Sequence, residues 1–163
     1  MNPAEPVACL PVARALLETP TRLILDNYRR LLGRDLIVVP DSARAVEVLF
    51  EAPCVVLAAF GAFGTDHLFG YANRAGLQRF ETTWEELMGV PSSLSAEPVC
   101  REERRRLLDE VGRRGYIDNY AGVRISRRGR RFRILQATVF NLLDDEGGYV
   151  GQAATFADWE ELV

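Results

Sequence analysis

The sequence predicts an α+β domain in which helices pack against an antiparallel sheet. Two observations lead to this class. Two short apolar segments separated by a glycine-containing turn lie in the middle of the chain, and three longer strand-like segments follow near its end. Short helical segments lie between the first two strand-like segments and the last three. Strands that are separated by helices in this order are typical of α+β domains.

The composition is that of an ordinary globular domain. The chain has 163 residues, of which 48% are hydrophobic and 26% charged, so it can bury a core and is too apolar for a disordered chain. The net charge of −3 does not favour nucleic acid as a partner. No apolar segment approaches the length of a membrane span, and no basic leader precedes an apolar stretch. We therefore expect a cytoplasmic protein without a membrane partner.

Residues 1–50 are predicted to form a helical extension ahead of the sheet. Thr21 is expected to cap a helix that runs to Leu32 and ends at Gly33, because apolar residues between them recur at helical spacing. A shorter helix is expected to begin at Asp41 or the next residue. The apolar stripe of the first helix needs a partner. We expect that partner to be the outer sheet face or the same helix of a second copy in a homodimer.

The segments after this extension are bounded by recognisable caps and turns. Short helices are expected to begin at Asn73 and at Thr82 or Thr83, where a glutamate three residues later gives a capping-box pattern. A helix of about four turns is expected to end at Gly115. The three last strands are joined by the turn sequences RRG and DDEGG.

This order of elements resembles that of a PAS domain, and several phrases resemble a narrower family. The strand that ends in Ala-Asn and the Trp-x-Glu-Leu-x-Gly phrase at 84–89 are similar to a stretch of PAS domains. Phrases at 73–98, 101–111 and 115–156 resemble the MEKHLA family of PAS-like domains, which occur alone in bacteria and at the end of plant class III homeodomain–leucine zipper proteins. The resemblance implies that residues 51–160 form a five-stranded antiparallel sheet with helices on one face, preceded by the N-terminal helices.

The resemblance implies a sensor or interaction domain rather than an enzyme. It implies an unidentified protein partner. As a sensor, the domain would bind a small ligand between the sheet and the helices. The chain shows no nucleophile elbow, phosphate-binding loop or dinucleotide-binding glycine pattern, so we expect no catalytic residues. Two alternatives stay open. One is a small-molecule enzyme that uses the same cavity. The other is a polyanion-binding module that uses the hairpin arginines, namely Arg124, Arg127, Arg128, Arg130, Arg131 and Arg133.

Strand alternation gives a set of polar residues that we expect to face the cavity. A buried arginine needs a partner, and a carboxylate suits its forked donors, so Arg124 is expected to hold an acidic ligand together with Tyr120 and Gln136. The alternative is that Arg124 points outward, because apolar Val123 and Ile125 flank it. A hydrogen-bonded network within the sheet face is the alternative for the remaining polar residues. The ligand-binding candidates are Tyr120, Arg124, Gln136, Thr138 and Thr155.

Few residues match those that hold flavin in blue-light PAS domains. Ser92 stands where such domains carry a reactive cysteine, and a hydroxyl cannot replace that thiol. Arg124, Ile134 and Ala153 stand at or near the positions of the amides that bind the flavin edge. Gln152 is one residue away, and a slip of one residue turns a side chain to the other sheet face. We therefore expect neither a cysteine adduct nor a bound flavin.

Other cofactors find equally little support. His67 is the single histidine and lies outside the long helix that carries the haem ligand in haem-binding PAS domains, so we expect no haem. The three cysteines lack metal-ligand spacing, so we expect no metal site. Cys100 lies at a helix start beside Arg101, a setting that favours the thiolate, and it is the candidate redox sensor. A surface thiol without a role is the alternative.

Overall fold

A computed structural model describes residues 9–163 of the chain, so the first eight residues of the predicted extension lie outside the described part. The helices are α1 (Arg14–Leu32), α2 (Ala45–Phe50), α3 (Arg74–Arg79), α4 (Trp84–Leu87) and α5 (Arg101–Arg114). The strands are β1 (Val55–Phe60), β2 (Leu68–Ala72), β3 (Tyr116–Ile125), β4 (Arg131–Leu143), β5 (Tyr149–Phe156) and β6 (Asp158–Glu161). Among these described residues, no helix has the length and apolar character that a membrane span requires.

The strands form one antiparallel sheet in the order β2-β1-β5-β4-β3. The predicted α+β class and the five-stranded sheet are confirmed. The short strand β6, which we did not predict, pairs with the first half of β4, whereas β5 pairs with its second half. The sheet therefore has two broad faces, and different helices cover each of them.

Helix α1 begins earlier than predicted. It starts at Arg14, so Thr21 is a buried residue inside the helix, and its predicted role as a cap is wrong. Pro20 lies within the helix, where a proline removes one backbone hydrogen bond and crowds the carbonyl four residues earlier. Leu17 is fully buried, and its burial favours extending the helix toward the N-terminus. The predicted end is confirmed, because Gly33 adopts a left-handed conformation there.

The apolar stripe of α1 packs on the outer sheet face, which confirms one of the two expected partners. Ile24 and Tyr28 belong to the same buried cluster as Phe140, and the rings of Tyr28 and Phe140 meet edge to face at 5.4 Å. Asn27 ties the helix to the end of β4, since its amide donates to the Leu143 carbonyl at 3.0 Å and accepts from the Leu143 N–H at 3.2 Å. The stripe is thus buried without a second copy of the chain.

The short helices on the inner face begin where predicted. The Asn73 side chain caps α3 by accepting from the Gly76 N–H at 3.0 Å. Thr83 and Glu86 form the reciprocal capping box of α4, with both hydrogen bonds at 3.2 Å. Asn73 also accepts from the Val56 N–H at 2.9 Å, which fixes α3 to β1. These local bonds hold the helices beside the inner sheet face and leave a cavity next to them.

Candidate functional site

A cavity of about 330 Å³ lies between the inner sheet face, helix α5 and the segment that joins β1 to β2. Much of its lining is apolar and comes from the strands and from the residue that directly follows α3. The apolar side chains are Leu57, Phe69, Phe80, Ile134, Val139 and Phe156. The polar lining comes from β3, β5, α5 and the loops. Its main members are Asp66, His67, Ser92, Arg104, Arg124, Tyr149 and Gln152.

Arg124 faces this cavity rather than solvent. Its side chain belongs to a residue that is only 9% exposed, although apolar Val123 and Ile125 flank it. Its Nη1 donates to the Val123 carbonyl at 2.8 Å, and its Nη2 lies 3.5 Å from the Tyr120 hydroxyl. The guanidinium carbon also lies 5.7 Å from the centroid of the Tyr120 ring. The structure therefore brings together two of the five predicted ligand-binding candidates. Tyr120 is connected to the cavity through its contact with Arg124 and is not itself part of the lining.

The other three candidates lie away from the cavity, and a β-bulge in β4 is the reason for two of them. Gln136 is exposed and has a left-handed backbone with φ of 49°, so strand alternation reverses after it. Ala137 and Val139 consequently face inward. Thr138 faces the opposite side, where it pairs with Thr155 of β5. Our expected inward set is therefore corrected at Gln136, Thr138 and Thr155.

The same correction applies to the last strand. Ala153 packs in the outer cluster with Phe140, and Gln152 lines the cavity. The Gln152 amide donates to the Leu108 carbonyl of α5 at 3.0 Å and to Asn141 Oδ1 at 3.2 Å. The alignment with blue-light PAS domains puts Ala153 at the flavin-facing position, and the structure has Gln152 there instead, one residue earlier. Gln152 and Asn141 are therefore inner-face residues that sequence reasoning missed.

Arg104 of α5 is a second arginine in the cavity. Its Nη2 donates to the Ser92 hydroxyl at 3.0 Å. Burial and the nearby charge of Arg124 lower the pKa of Arg104 to about 10. Arg104 is not among the ligand-binding candidates that strand alternation gives. Its spacing from Leu108 and Val111, which fits one helical stripe, was the signal that marked it as inward-facing.

His67 closes one side of the cavity as a neutral side chain. Burial lowers its pKa, and the residue is 7% exposed. Its Nε2 lies 2.7 Å from the Tyr149 hydroxyl, and its Nδ1 lies 3.4 Å from the Thr65 hydroxyl. Burial also raises the pKa of Tyr149 to about 12, so this hydroxyl stays protonated at neutral pH. Both ring nitrogens of His67 thus have hydrogen-bonding neighbours within the chain.

The three cysteines all lie among the described residues, and none of them lines the cavity. Cys100 ends a short 3-10 helix, Pro98–Cys100, directly before α5, where it is half-buried and free of any disulfide. Its role as a redox sensor stays a prediction. Within residues 9–163, no group of three or more histidine, cysteine, aspartate or glutamate side chains could hold a metal ion.

A family model described as the MEKHLA domain matches residues 18–161, which is most of the chain. This chain belongs to the MEKHLA domain family. The matched segment begins within α1, so the family pattern includes most of the helix that covers the outer sheet face. The division into an extension, 1–50, and a domain, 51–160, stays a prediction.

The MEKHLA domain is similar to part of the homeobox-leucine zipper protein ATHB-9 of Arabidopsis thaliana. The two are 29% identical over 145 residues, which cover 86% of this chain and 17% of the plant protein. The chain therefore spans about one sixth of the length of this relative.

Solved structures with this fold are PAS and light-oxygen-voltage domains. A PAS domain from Colwellia psychrerythraea superposes with a TM-score of 0.60 at 10% identity, covering 74% of this chain and 95% of that chain. The light-state dimer of the fungal blue-light photoreceptor Vivid superposes with a TM-score of 0.56 at 14% identity, covering 83% of this chain and 93% of that chain. An RNA-binding light-oxygen-voltage receptor superposes with a TM-score of 0.55 at 15% identity, covering 75% of this chain and 36% of that chain. These similarities show the PAS fold.

The cavity residues of this MEKHLA domain do not fit cysteine-adduct flavin chemistry. Ser92 contributes a hydroxyl to the lining, and that hydroxyl accepts the hydrogen bond from Arg104. The one glutamine amide in the lining, that of Gln152, is already bonded to the backbone of α5. The lining thus supplies a hydroxyl, bonded to a guanidinium, where the adduct chemistry requires a thiol.

Proposed function

We propose that this MEKHLA domain is a non-enzymatic sensor that binds a small molecule in the cavity between the inner sheet face and α5. The cavity carries the proposal, because its apolar lining with a few inward polar groups is the usual composition of a small-molecule site. Arg124 and Tyr120 are the proposed ligand-binding residues from the predicted set. Gln136, Thr138 and Thr155 are not part of this site.

The chemistry of the polar lining supports binding over catalysis. The Ser92 hydroxyl is hydrogen-bonded to the guanidinium of Arg104, which cannot act as a general base. The neutral His67 imidazole lies against the hydroxyl of Tyr149, whose pKa is raised by burial.

Two other lining hydroxyls lie near a base, but each has a structural role. The Thr65 hydroxyl donates to the Ala62 carbonyl at 2.7 Å rather than to His67. Asp66 accepts from both the N–H and the hydroxyl of Ser93, so it fixes that loop, and these arrangements support the non-enzymatic proposal over the cavity enzyme.

The hairpin arginines also support the sensor over a polyanion-binding module. Several of them lie within 4.0 Å of a glutamate from a neighbouring element, so their charges are offset locally. The pairs are Arg127 with Glu86 at 3.7 Å, Arg130 with Glu81 at 3.3 Å, Arg133 with Glu160 at 3.6 Å, and Arg131 with Glu97. The arginine cluster consequently lacks the concentrated positive surface that a nucleic-acid partner requires.

The homodimer, the unidentified protein partner and the cytoplasmic location remain predictions. The apolar stripe of α1, our first reason to expect a homodimer, is already buried on the sheet. One of the similar solved structures is a light-state dimer of the photoreceptor Vivid. Light scattering at two protein concentrations tests the homodimer: a mass of twice 18.3 kDa is expected, and a constant single-chain mass contradicts it.

The experiment that tests the sensor compares ligand binding before and after the cavity is filled. The full chain is screened by thermal unfolding with neutral, cationic and anionic small molecules, and the fresh preparation is weighed by native mass spectrometry. Ala154→Phe fills the cavity from β5, whereas Ala157→Phe changes an exposed alanine between β5 and β6 and is the matched control. We expect compounds that raise the Tm of the original chain and of the control but not of Ala154→Phe.

Circular dichroism of each variant establishes that it is folded. The proposal is wrong if no compound shifts the Tm of the original chain and no bound mass is found. It is also wrong if the compounds raise the Tm of folded Ala154→Phe by the same amount, because binding then occurs elsewhere.

A further inference from the structure

We infer that the ligand of this cavity is a small organic monoanion, a carboxylate on an apolar body, whose charged group is held between Arg104 and Arg124. The inference rests on the proposed function and names the chemical class of its ligand. It depends on three observations: two inward guanidiniums without an acidic partner, one excess positive charge in the lining, and apolar walls around the remaining space.

The first observation concerns the partners of the two arginines. Arg104 donates to the Ser92 hydroxyl, while Arg124 donates to a backbone carbonyl and lies beside the Tyr120 hydroxyl. All of these acceptors are neutral. Across residues 9–163, no carboxylate oxygen lies within 4.0 Å of a guanidinium nitrogen of either arginine. A buried guanidinium keeps its charge, and a buried charge without a counterion is costly.

The two guanidiniums also act on each other. Burial lowers the pKa of Arg104, and the like charge of Arg124 lowers it further. The two arginines come from facing elements, since Arg104 is on α5 and Arg124 is on β3. An anion between them would offset both charges at once. The forked donors of arginine suit a carboxylate, which can accept two parallel hydrogen bonds.

The net charge of the lining indicates a single negative charge on the ligand. The charged lining residues are Arg101, Arg104, Arg105 and Arg124, with Asp66, Glu102 and Asp109. The acidic residues already have partners: Asp66 accepts from the Ser93 hydroxyl at 2.6 Å, and Arg105 lies 2.7 Å from Glu102 and 3.8 Å from Asp109. With His67 neutral, the lining has an excess of one positive charge. A monoanion neutralises it, whereas a phosphate dianion leaves an unpaired negative charge.

The rest of the cavity indicates an apolar body for the ligand. Leu57, Phe69 and Ile134 come from three different strands and contribute apolar side chains to the lining. A volume of about 330 Å³ equals the space of about eleven water molecules, which is enough for a short aliphatic chain or one aromatic ring. Burial of such a body against these side chains adds affinity that the charge alone does not supply.

The test is calorimetric titration of the full chain with five probes. Octanoate and benzoate carry the proposed charge, octanamide and benzamide have the same shapes without it, and inorganic phosphate carries charge without an apolar body. We expect both carboxylates to bind, each amide to bind at least about tenfold more weakly, and phosphate not to bind. Arg104→Gln and Arg124→Gln should each weaken carboxylate binding at least about tenfold. Arg106→Gln, on the exposed side of α5, should leave it unchanged.

The outcomes separate this inference from the proposed function. Amides that bind as tightly as carboxylates, or phosphate that binds in their place, overturn the monoanion and leave a small-molecule sensor. If the carboxylates do not bind but neutral compounds raise the Tm in the wider screen, the monoanion is likewise overturned and the small-molecule sensor stands. No binding by any probe and no shift in the screen overturn both.

If the glutamine variants fold poorly, the Tm of a ligand-free variant tests whether the charge of Arg104 is unpaired. Arg104→Met removes one of two repelling buried charges and retains an unbranched apolar side chain. We expect its Tm without ligand to exceed that of the original chain, with carboxylate binding lost. A lower Tm for Arg104→Met without ligand contradicts the unpaired charge.

Discussion

The side-chain amides of Asn141 and Gln152 face each other across β4 and β5, with Gln152 Nε2 3.2 Å from Asn141 Oδ1. Both amides also reach helix α5. Gln152 donates to the Leu108 carbonyl at 3.0 Å, and Asn141 donates to the Gly112 carbonyl at 3.1 Å. These bonds connect the inner sheet face directly to α5 beside the cavity. The pair therefore joins two elements, β5 and α5, that both line the cavity.

The first prediction is that Gln152→Leu destabilises the domain. The substitution leaves the buried Asn141 Oδ1 without its donor and removes one bond to α5, so the free energy of unfolding should fall by about 1–3 kcal/mol. Urea unfolding measures the change. Gln78→Leu, at an exposed position of α3, is the control and should change the free energy little. Equal stability of Gln152→Leu and the original chain would mean that the amide pair contributes nothing.

Much of the fold could be predicted because its signals are local. Asn73, Thr83 and Gly33 are caps whose hydrogen bonds or backbone angles depend on a few adjacent residues. The bulge at Gln136 gives no such signal, because glutamine is not a residue that favours a left-handed backbone. One unpredicted bulge then reversed the assignment of Thr138 and every later residue of the strand. Simple alternation therefore could not predict which residues of β4 face inward after Gln136.

The second prediction tests that bulge. Gln136 has φ of 49°, a conformation that costs a residue with a Cβ atom but not glycine. Gln136→Gly should raise the free energy of unfolding by up to about 1 kcal/mol, and Gln136→Val should lower it, since a β-branched residue is strained there. Thermal unfolding of both variants measures the difference. If valine is tolerated as well as glycine, residue 136 does not have a left-handed backbone.

Arg104 shows why half of the site was missed. An arginine in a helix rich in charged residues is typical of a solvated face, and Arg105, its neighbour, does pair with acids on that face. Only the stripe that Arg104 shares with Leu108 and Val111 distinguishes it, and burial of α5 on the sheet makes that stripe decisive. Arg124 could be predicted because strand alternation puts it on the same face as Tyr120 and Gly122.

The third prediction is a loss of stability in mild acid that depends on His67. Burial lowers the folded-state pKa of His67 below 6.5, so the unfolded chain binds a proton first as the pH falls. The free energy of unfolding should therefore drop as the pH falls below 6.5, by up to about 1.4 kcal/mol at pH 5.5, until the folded state is also protonated. Urea unfolding at pH 7.5 and 5.5 measures the drop.

His67→Gln is the variant that identifies the titrating group, and it should show a smaller drop between these two pH values. Tyr149→Phe removes the hydroxyl partner of His67 but keeps the imidazole buried, so its pH dependence should persist. An undiminished drop in His67→Gln would assign the acid sensitivity to other groups.

The fourth prediction concerns Arg79, which fixes the last strand to α3. Its guanidinium carbon lies 4.0 Å from the Phe132 ring centroid and 5.1 Å from that of Trp159. Its two terminal nitrogens lie 2.7 and 3.2 Å from the carboxylate oxygens of Glu161. A lysine cannot form this paired contact or stack between the rings, so Arg79→Lys should release β6 without unfolding the sheet.

Hydrogen exchange measures this release, and amides of residues 158–161 should exchange at least about tenfold faster in Arg79→Lys than in the original chain. Arg74→Lys is a matched control on the same helix, because Arg74 also pairs with a glutamate, Glu51, and lies over a ring, Phe50. It should leave exchange in β6 unchanged. Since Arg79 contacts both β6 and the inner-face residue Phe132, faster exchange confined to β6 would show that the strand detaches alone. Equal acceleration in both variants would instead mean that α3 as a whole has loosened.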